Sequence, residues 1–286
     1  MLFKQMTIIG VGLIGGSLGL AVKQKKLVKQ VVGYGRRRGA LHRAVSLNAI
    51  DRYFLTLPKA VKDADLIVLA TPVGTFEKFC QAMGPHLKEG AIVTDVGSVK
   101  GDLVRRLDAL LPSHVHFVGG HPIAGKEKSG VLAATGSLFK GSRTILTPIE
   151  KTDQISLKAV ASLWSGIGSN VSEENPFDHD RILGVVSHLP HVVAYALMET
   201  LTHPSLESMN PVEYSAGGLR DFTRIAGSSS EMWRDIFLLN REAVLEGIDL
   251  YQEAIEKIKK RIISTDGDGL LEIFEHAKVI QKQVRT

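Results

Sequence analysis

The sequence predicts an α/β protein in which an N-terminal doubly wound parallel sheet precedes an all-helical C-terminal part. Three observations predict this class. A glycine-rich turn joins an apolar run to a helical pattern near the N-terminus, apolar strand-like runs alternate with helical stretches as far as about Glu174, and amphipathic helices follow. Continuous apolar strands alternating with helices are typical of a parallel sheet covered on both faces. We therefore expect two domains, residues 1–174 and 175–286.

The first element is a strand that runs directly into the pattern G-x-G-x-x-G. The apolar run 6–9 is followed by Gly10, Gly12 and Gly15, and an apolar helical pattern comes next. In this context Gly10 permits a tight turn, Gly12 lets the backbone approach a pyrophosphate, and Gly15 allows close packing of helix on strand. A glycine-rich turn in another kind of α/β protein is the competing interpretation. The position and flanks favour a dinucleotide-binding Rossmann domain.

Further strand-like runs follow at the spacing of βαβ units, with helical stretches such as 41–47 and 76–83 between them. From about Asp178 onward, apolar residues recur with a helical period among Glu and Lys, most clearly over 243–262. Such a broad apolar face suits a helical bundle or a second subunit, so we expect a homodimer through the helical half. The predicted strands are Val31–Tyr34, Leu66–Ala70, Ala91–Thr94, His116–Val118, Thr144–Leu146 and Asn170–Ser172.

Composition narrows the class of protein. The 286 residues are 44% hydrophobic and 23% charged, and we find no apolar run near the ~20 residues that span a bilayer. One cysteine, Cys80, excludes an internal disulfide, so a reducing cytoplasm is the expected location.

Basic charge is concentrated in the first half of the chain. Residues 1–150 carry 21 Lys and Arg against 10 Asp and Glu, whereas the remainder carries 14 against 20. This balance suits an anionic cofactor. Nucleic acid would also explain a pI near 9.2, but we find no recognition-helix motif, aromatic ladder or zinc pattern to support it. We therefore expect neither a nucleic-acid nor a membrane partner.

Two polar segments directly follow predicted strands. Thr94–Gly101 contains Ser98, and Val118–Gly125 places glycines on both sides of His121. Ligands of doubly wound sheets bind beyond the carboxyl ends of the strands, which would bring Ser98 near a nicotinamide. A lone histidine is often a structural residue, but this location favours a catalytic His121.

Two more polar segments lie in the helical half. Ser187–His191 holds His188 and His191, which could ligate a metal, but no acidic or thiol companion is nearby and we expect none. The segment 217–226 is rich in glycine and contains an arginine suited to bind a substrate carboxylate bidentately. From the pattern alone, either Arg220 or Arg224 could instead be a solvated helix charge or a partner of Asp221.

Taken together and in this order, these segments resemble the prephenate/arogenate dehydrogenase family of tyrosine biosynthesis. The resemblance implies a Rossmann domain joined to an all-helical dimerisation domain. It also implies NAD(P)-dependent oxidative decarboxylation of prephenate to 4-hydroxyphenylpyruvate, of arogenate to tyrosine, or of both. The matching segments are Asp95–Gly101, Gly119–Gly125, Glu127–Gly130, Ser187–His191 and Asp221–Ala226.

The resemblance also implies residue roles. His121 would accept the proton of the substrate hydroxyl, Ser98 would orient that hydroxyl, and Arg224 would hold a substrate carboxylate. Glu127 and Asp221 would form ion pairs that gate Arg224 in the empty site. The remaining residues expected to contact substrate are His191, Ser187, His188 and Gly217.

The expected cofactor is NADP or NAD. NAD enzymes usually carry Asp or Glu at the end of the second strand, but here Gly35 is followed by Arg36 and Arg37, which could bind a 2′-phosphate. We therefore favour NADP, with NAD or dual use remaining open. The expected cofactor-binding residues are Gly10, Gly12, Leu13, Ile14, Gly15, Gly35, Arg36, Arg37, Thr71 and Pro72.

Two other functional classes are compatible with the fold. One is a β-hydroxyacid dehydrogenase, which typically relies on a lysine in the helical half; the other is a non-enzymatic dinucleotide-binding sensor. The sequence leaves the choice between prephenate and arogenate open, with Asp180 as a candidate to distinguish their side chains. Tyrosine is an expected competitive inhibitor.

Overall fold

The computed structural model describes residues 1–125 and 128–284, and within them one eight-stranded sheet of order β3-β2-β1-β4-β5-β6-β7-β8. Strands β1 to β6 are parallel, β7 runs antiparallel to β6, and β8 is parallel to β7. The strands are β1 Phe3–Ile9, β2 Val28–Tyr34, β3 Arg52–Phe54, β4 Leu66–Leu69, β5 Ile92–Asp95, β6 His116–Pro122, β7 Arg143–Thr147 and β8 Asn170–Glu173.

Helices cover both faces of this sheet, as the sequence predicts. One core contains apolar side chains of α1, α2 and α6, including Trp164, and the other contains those of α3, α4, α5 and α10. The helices are α1 Leu13–Gln24, α2 Arg38–Ser46, α3 Leu57–Val61, α4 Phe76–Met83, α5 Gly101–Leu110, α6 Gln154–Gly166, α7 Pro176–Leu183, α8 Leu189–Leu201, α9 Gly217–Thr223, α10 Ser230–Leu239, α11 Arg241–Ile263 and α12 Gly267–Val284.

Cys80 lies in the second core, where burial raises the pKa of its thiol to about 12. A thiol that remains protonated at neutral pH is a poor nucleophile and metal ligand. Cys80 is therefore a small core residue.

Helix α7 continues through a π-helical turn, Gly184–His188, into α8. Helix α11 crosses close to this turn, because a Cβ on Gly184 would lie 2.9 Å from the Ala243 Cβ. Helix α10 contacts the 3-10 turn Val73–Thr75 that follows β4. The helical part thus packs against the edge of the sheet where its parallel strands end.

Large apolar side chains remain exposed on α11 and α12, among them Leu250, Ile262 and Phe274. The continuous run Pro176–Leu201 has 26 residues, and an 18-residue window within it has a mean hydropathy of 1.3. This meets the length and composition of a membrane span and differs from our sequence expectation. In the single chain 22% of that window is buried, and the polar His179 and Asp180 side chains near the start of the run are buried as well. Helices that pack within a bundle or against another subunit share this composition.

Candidate active site

The glycine loop between β1 and α1 has the geometry that a dinucleotide requires. Gly10 has φ +97°, which favours glycine, and its N–H donates to the Tyr34 carbonyl at 3.0 Å. A Cβ on Gly15 would clash with the Gly10 carbonyl, whereas a Cβ on Gly12 would meet nothing within 4 Å. The turn is thus closed by Gly10 and Gly15 and open at Gly12, where α1 begins without a side-chain cap. This open helix N-terminus fits a pyrophosphate.

The other predicted cofactor residues lie around the same loop. Leu13 and Ile14 form the first turn of α1 and are half-buried. Thr71 follows β4, and its methyl group would lie 2.7 Å from a Cβ on Gly10. The Thr71 hydroxyl lies 2.7 Å from the Thr75 hydroxyl, which donates to the Pro72 carbonyl. The structure therefore brings the β1 and β4 ends together.

The end of β2 presents basic groups. Gly35 is half-buried beside the Leu41 side chain, and Arg36, Arg37 and Arg38 are exposed. Because β2 pairs with β1, these guanidiniums follow the strand next to the glycine loop. They are placed where an adenosine ribose and its phosphate lie in dinucleotide-binding folds.

Ser98 lies in a loop fixed by Asp95, the last residue of β5. The buried Asp95 carboxylate accepts from the Gly97 N–H at 2.8 Å, forms a short ion pair with the buried Lys100 ammonium, and accepts from the Gly120 N–H at 3.1 Å. The carboxylate therefore links the Ser98 loop to the residue that precedes His121.

His121, at the end of β6, begins a relay of hydrogen bonds. Its Nδ1 lies 2.8 Å from His179 Nε2, and His179 Nδ1 lies 2.8 Å from Asp180 Oδ1. The same Asp180 oxygen accepts from the Lys100 N–H at 2.7 Å. An ionised carboxylate only accepts hydrogen bonds, so His179 carries its proton on Nδ1, and neutral His179 then accepts from His121 Nδ1. This leaves His121 Nε2 unprotonated and able to act as a base.

The surroundings of His121 keep its imidazole neutral. Desolvation is the main cause that lowers its pKa well below 6.5, and positive charge on His179, Lys100 and His188 would add to this effect. A histidine with a lowered pKa retains its proton-accepting form at neutral pH.

His188 and His191 lie at the π-helical turn and the start of α8. The fully buried His188 has its pKa lowered to about 4 by desolvation, and its Nδ1 accepts from the Asn240 side-chain amide at 3.0 Å. His191 donates from Nδ1 to the Ser187 carbonyl at 3.0 Å, and its ring stacks on Trp233 with centroids 3.5 Å apart. Desolvation also lowers the His191 pKa.

Trp233 connects these histidines to the sheet. It lies on α10, whose apolar face packs into the core that contains Val73 and Phe76. The stacked His191 ring is therefore fixed against the helix that contacts the end of β4.

Arg224 begins the 3-10 turn Arg224–Gly227, which packs against α8, the helix of His191. Both Arg224 and Gly217, the first residue of α9, are exposed. Among the described residues, the His121 side chain hydrogen-bonds to His179 and makes no direct hydrogen bond to Ser98 or Arg224. Glu127, expected to gate Arg224, lies outside the described residues.

The structure corrects the suggestion that Asp180 distinguishes substrate side chains. Its carboxylate is buried and bonded to His179 and to the Lys100 N–H, so it is part of the protein interior.

Sequence reasoning missed His179, Lys100 and Trp233. The adjacent His179 and Asp180 just after the predicted domain boundary were the one available signal.

The site contains no metal-binding cluster among the described residues and is separate from a surface cavity. Among the described residues, no group of three His, Cys, Asp or Glu side chains could hold a metal ion. A surface cavity of about 500 Å³ lies between α5, the segment after β7 and the start of α7, with Arg105, Lys151 and Phe177 in its lining. None of the predicted site residues line this cavity, so it is separate from the glycine loop and the histidines.

Comparisons with known proteins agree with this architecture. Residues 18–173 match the model of the prephenate dehydrogenase nucleotide-binding domain, and residues 175–276 match that of its dimerization domain. The chain is 39% identical to a prephenate dehydrogenase of Bacillus subtilis, over 94% of this chain and 73% of the relative. It is 36% identical to a cyclohexadienyl dehydrogenase of Zymomonas mobilis, over 99% and 97%.

A solved structure has the same fold. The crystal structure of prephenate dehydrogenase from A. aeolicus, in complex with hydroxyphenyl propionate and NAD+, superposes with a TM-score of 0.94 and 39% sequence identity. The match covers 98% of each chain. The likeness therefore extends over both the sheet and the helical part.

Proposed function

The chain belongs to the prephenate dehydrogenase family, and on that premise we propose that it oxidatively decarboxylates prephenate, arogenate or both, with hydride transfer to NAD(P)+. The observation that carries the proposal is the relay that leaves His121 Nε2 unprotonated, at the end of the strand that follows the Ser98 loop. Removing hydride from a hydroxyl-bearing carbon requires a base for the hydroxyl proton.

His121 supplies that base. It accepts the hydroxyl proton at Nε2 while its Nδ1–H remains bonded to His179, and the Asp180 carboxylate stabilises the positive charge that then develops on the histidine pair. Ser98 orients the substrate hydroxyl, and its loop is kept in place by Asp95.

The helical half binds the rest of the substrate. Arg224 holds a carboxylate, His191 contacts the side chain from its stack on Trp233, and Ser187, His188 and Gly217 form the surrounding wall. Because loss of carbon dioxide creates an aromatic ring, the product itself supplies much of the driving force. In this proposal no metal ion takes part in the reaction.

The glycine loop binds the dinucleotide, with Gly12 facing the pyrophosphate and Leu13, Ile14, Thr71 and Pro72 beside it. The bound nicotinamide accepts the hydride.

We propose a preference for NADP, because Arg36 and Arg37 are exposed after β2. Arg36→Asp should then raise the KM for NADP+ far more than that for NAD+. Arg52→Gln, a charge change on the neighbouring strand β3, is the control, and equal effects of Arg36→Asp on both cofactors would contradict the preference.

The proposal extends to assembly and inhibition. We propose a cytoplasmic homodimer formed through the helical domain, in agreement with the matched dimerization domain. Tyrosine carries a phenolic hydroxyl and a carboxylate, so it can bind to the same side chains that are proposed to hold the substrate hydroxyl and carboxylate. Its inhibition should be competitive with prephenate or arogenate.

The experiment that tests the function is an assay of reduced cofactor at 340 nm. Prephenate, arogenate and a simple β-hydroxyacid are each supplied with NAD+ and with NADP+. We expect turnover with prephenate, arogenate or both and none with the β-hydroxyacid. Turnover of the β-hydroxyacid alone, or cofactor binding with no turnover of any of the three, would contradict the proposal.

A further inference from the structure

A fully buried ion pair lies beneath the catalytic residues and takes no direct part in the reaction proposed above. The Lys100 side chain is 1% exposed and that of Asp95 is 0% exposed, and the two groups are in direct contact. Burying an ion pair costs desolvation energy that the mutual attraction often fails to recover. Stabilisation of the fold therefore does not by itself explain an ion pair buried next to the proposed catalytic residues.

The contacts of this pair converge on the two proposed catalytic residues. Asp95 accepts from the N–H of Gly97, which precedes Ser98, and from the N–H of Gly120, which precedes His121. Lys100 follows Ser98 by two residues, and its own N–H donates to Asp180, which holds His179 against His121. The pair is therefore joined to both sides of the Ser98 loop and to both ends of the histidine relay.

We propose that Asp95 and Lys100 are positioning residues that fix Ser98 relative to His121. This inference rests on the function proposed above, in which His121 is the base.

The charge of Lys100 gives the proposal a second readout, the protonation of His121. After desolvation, positive charge on His179 of α7, on Lys100 at the start of α5 or on His188 of the π-helical turn disfavours the imidazolium of His121. The Asp95 carboxylate, which contacts Lys100 and accepts from the Gly120 N–H, opposes the effect of Lys100. Hydrogen bonds join Asp180 to His121 through His179. Lys100 is the permanent cation of this set, so its removal should raise the His121 pKa.

The test is Lys100→Met in the full-length protein. We expect kcat to fall about 10- to 100-fold, because small displacements of catalytic groups have effects of this size. We also expect the acid limb of the pH profile of kcat/KM to move upward by about half a pH unit or more. Histidine NMR titrations of the protein without substrate should show the same upward shift in the pKa of His121. The His121 resonance is assigned by its absence from the spectrum of His121→Asn.

Lys88→Met is the matched control, since Lys88 forms an ion pair with Asp65 at the opposite end of β4 from the cofactor loop. It should leave kcat and the acid limb unchanged. A Lys100→Met protein that loses thermal stability but keeps the wild-type kcat and acid limb would overturn the inference.

A buried, unpaired Asp95 could prevent folding of the single variant. The double variant Asp95→Asn with Lys100→Met removes both charges together, and we expect it to fold and to show the same fall in kcat. An unchanged kcat in this variant would also overturn the inference. If the wild-type enzyme turns over none of the substrates, the proposed function fails, whereas NMR still reports whether Lys100 acts on His121.

Discussion

The chemistry proposed for this protein depends on which nitrogen of His121 carries its proton. Asp180 can only accept, so the order of the relay is fixed from the buried end toward the site. His121 was predicted from its place after a strand. His179 could not be predicted in the same way, because its role arises from a contact between residues 58 positions apart.

Replacing His121 with Asn removes the base while preserving a polar side chain of similar reach. We expect kcat to fall by about two to four powers of ten, with little change in cofactor affinity. Steady-state kinetics and fluorescence titration of the cofactor measure the two effects. Wild-type kcat in the variant would exclude His121 as the base.

The lowered pKa of His121 predicts an acid-tolerant enzyme. Protonation of the base abolishes activity, so kcat/KM should fall only as pH drops through the lowered pKa, well below 6.5. A pH profile of kcat/KM between pH 4 and 8 checks this, with a solvent-exposed histidine variant, His276→Gln, as control. An acid limb at or above 6.5 would contradict the desolvated environment.

Among the elements, the π-helical turn Gly184–His188 contributes most to the site. The wider turn, packed against α11 at Gly184, buries His188 and is continuous with the helix that carries His191. π-helical turns are frequent at functional sites. The Ser187–His191 segment was recognised from its residues, but periodicity does not distinguish an α-helical from a π-helical turn, so this feature could not be predicted.

The buried His188 of this turn predicts a loss of stability in acid. Its folded pKa is about 4, and an unfolded histidine titrates near 6.5, so below 6.5 the unfolded state binds the extra proton. Stability is therefore fully present above 6.5 and declines as pH falls toward 4. Urea unfolding should show a His188-dependent loss of about 2 kcal/mol between pH 7 and pH 5. A His188→Gln variant with the same pH dependence as wild type would contradict this assignment.

At the scale of the whole molecule, the sequence predicted the doubly wound sheet and the change to helices. Continuous apolar strands and the glycine loop carry strong local signals. Strand β3 was missed because it has three residues, of which Arg52 is exposed. The antiparallel direction of β7 was not predicted either, since strand direction depends on the connection and not on the residues of the strand.

The exposed apolar faces of α11 and α12 predict association of two chains. Side chains such as Leu250, Ile262 and Phe274 are about half exposed or more in the single chain. Exposed apolar side chains on two helices in contact are typical of an interface between subunits. Light scattering after gel filtration should give twice the chain mass of 31.1 kDa. The mass of one chain at micromolar concentration would exclude the stable dimer.

The central claim is that the His121 imidazole from the sheet domain and the Arg224 guanidinium from the helical half meet around one substrate ring, opposite the nicotinamide. A crystal structure of this protein with NAD+ and hydroxyphenyl propionate tests the claim most directly. We predict His121 Nε2 within hydrogen-bond distance of the ligand hydroxyl and Arg224 paired with the ligand carboxylate. A ligand bound with these two side chains facing separate cavities would contradict the account.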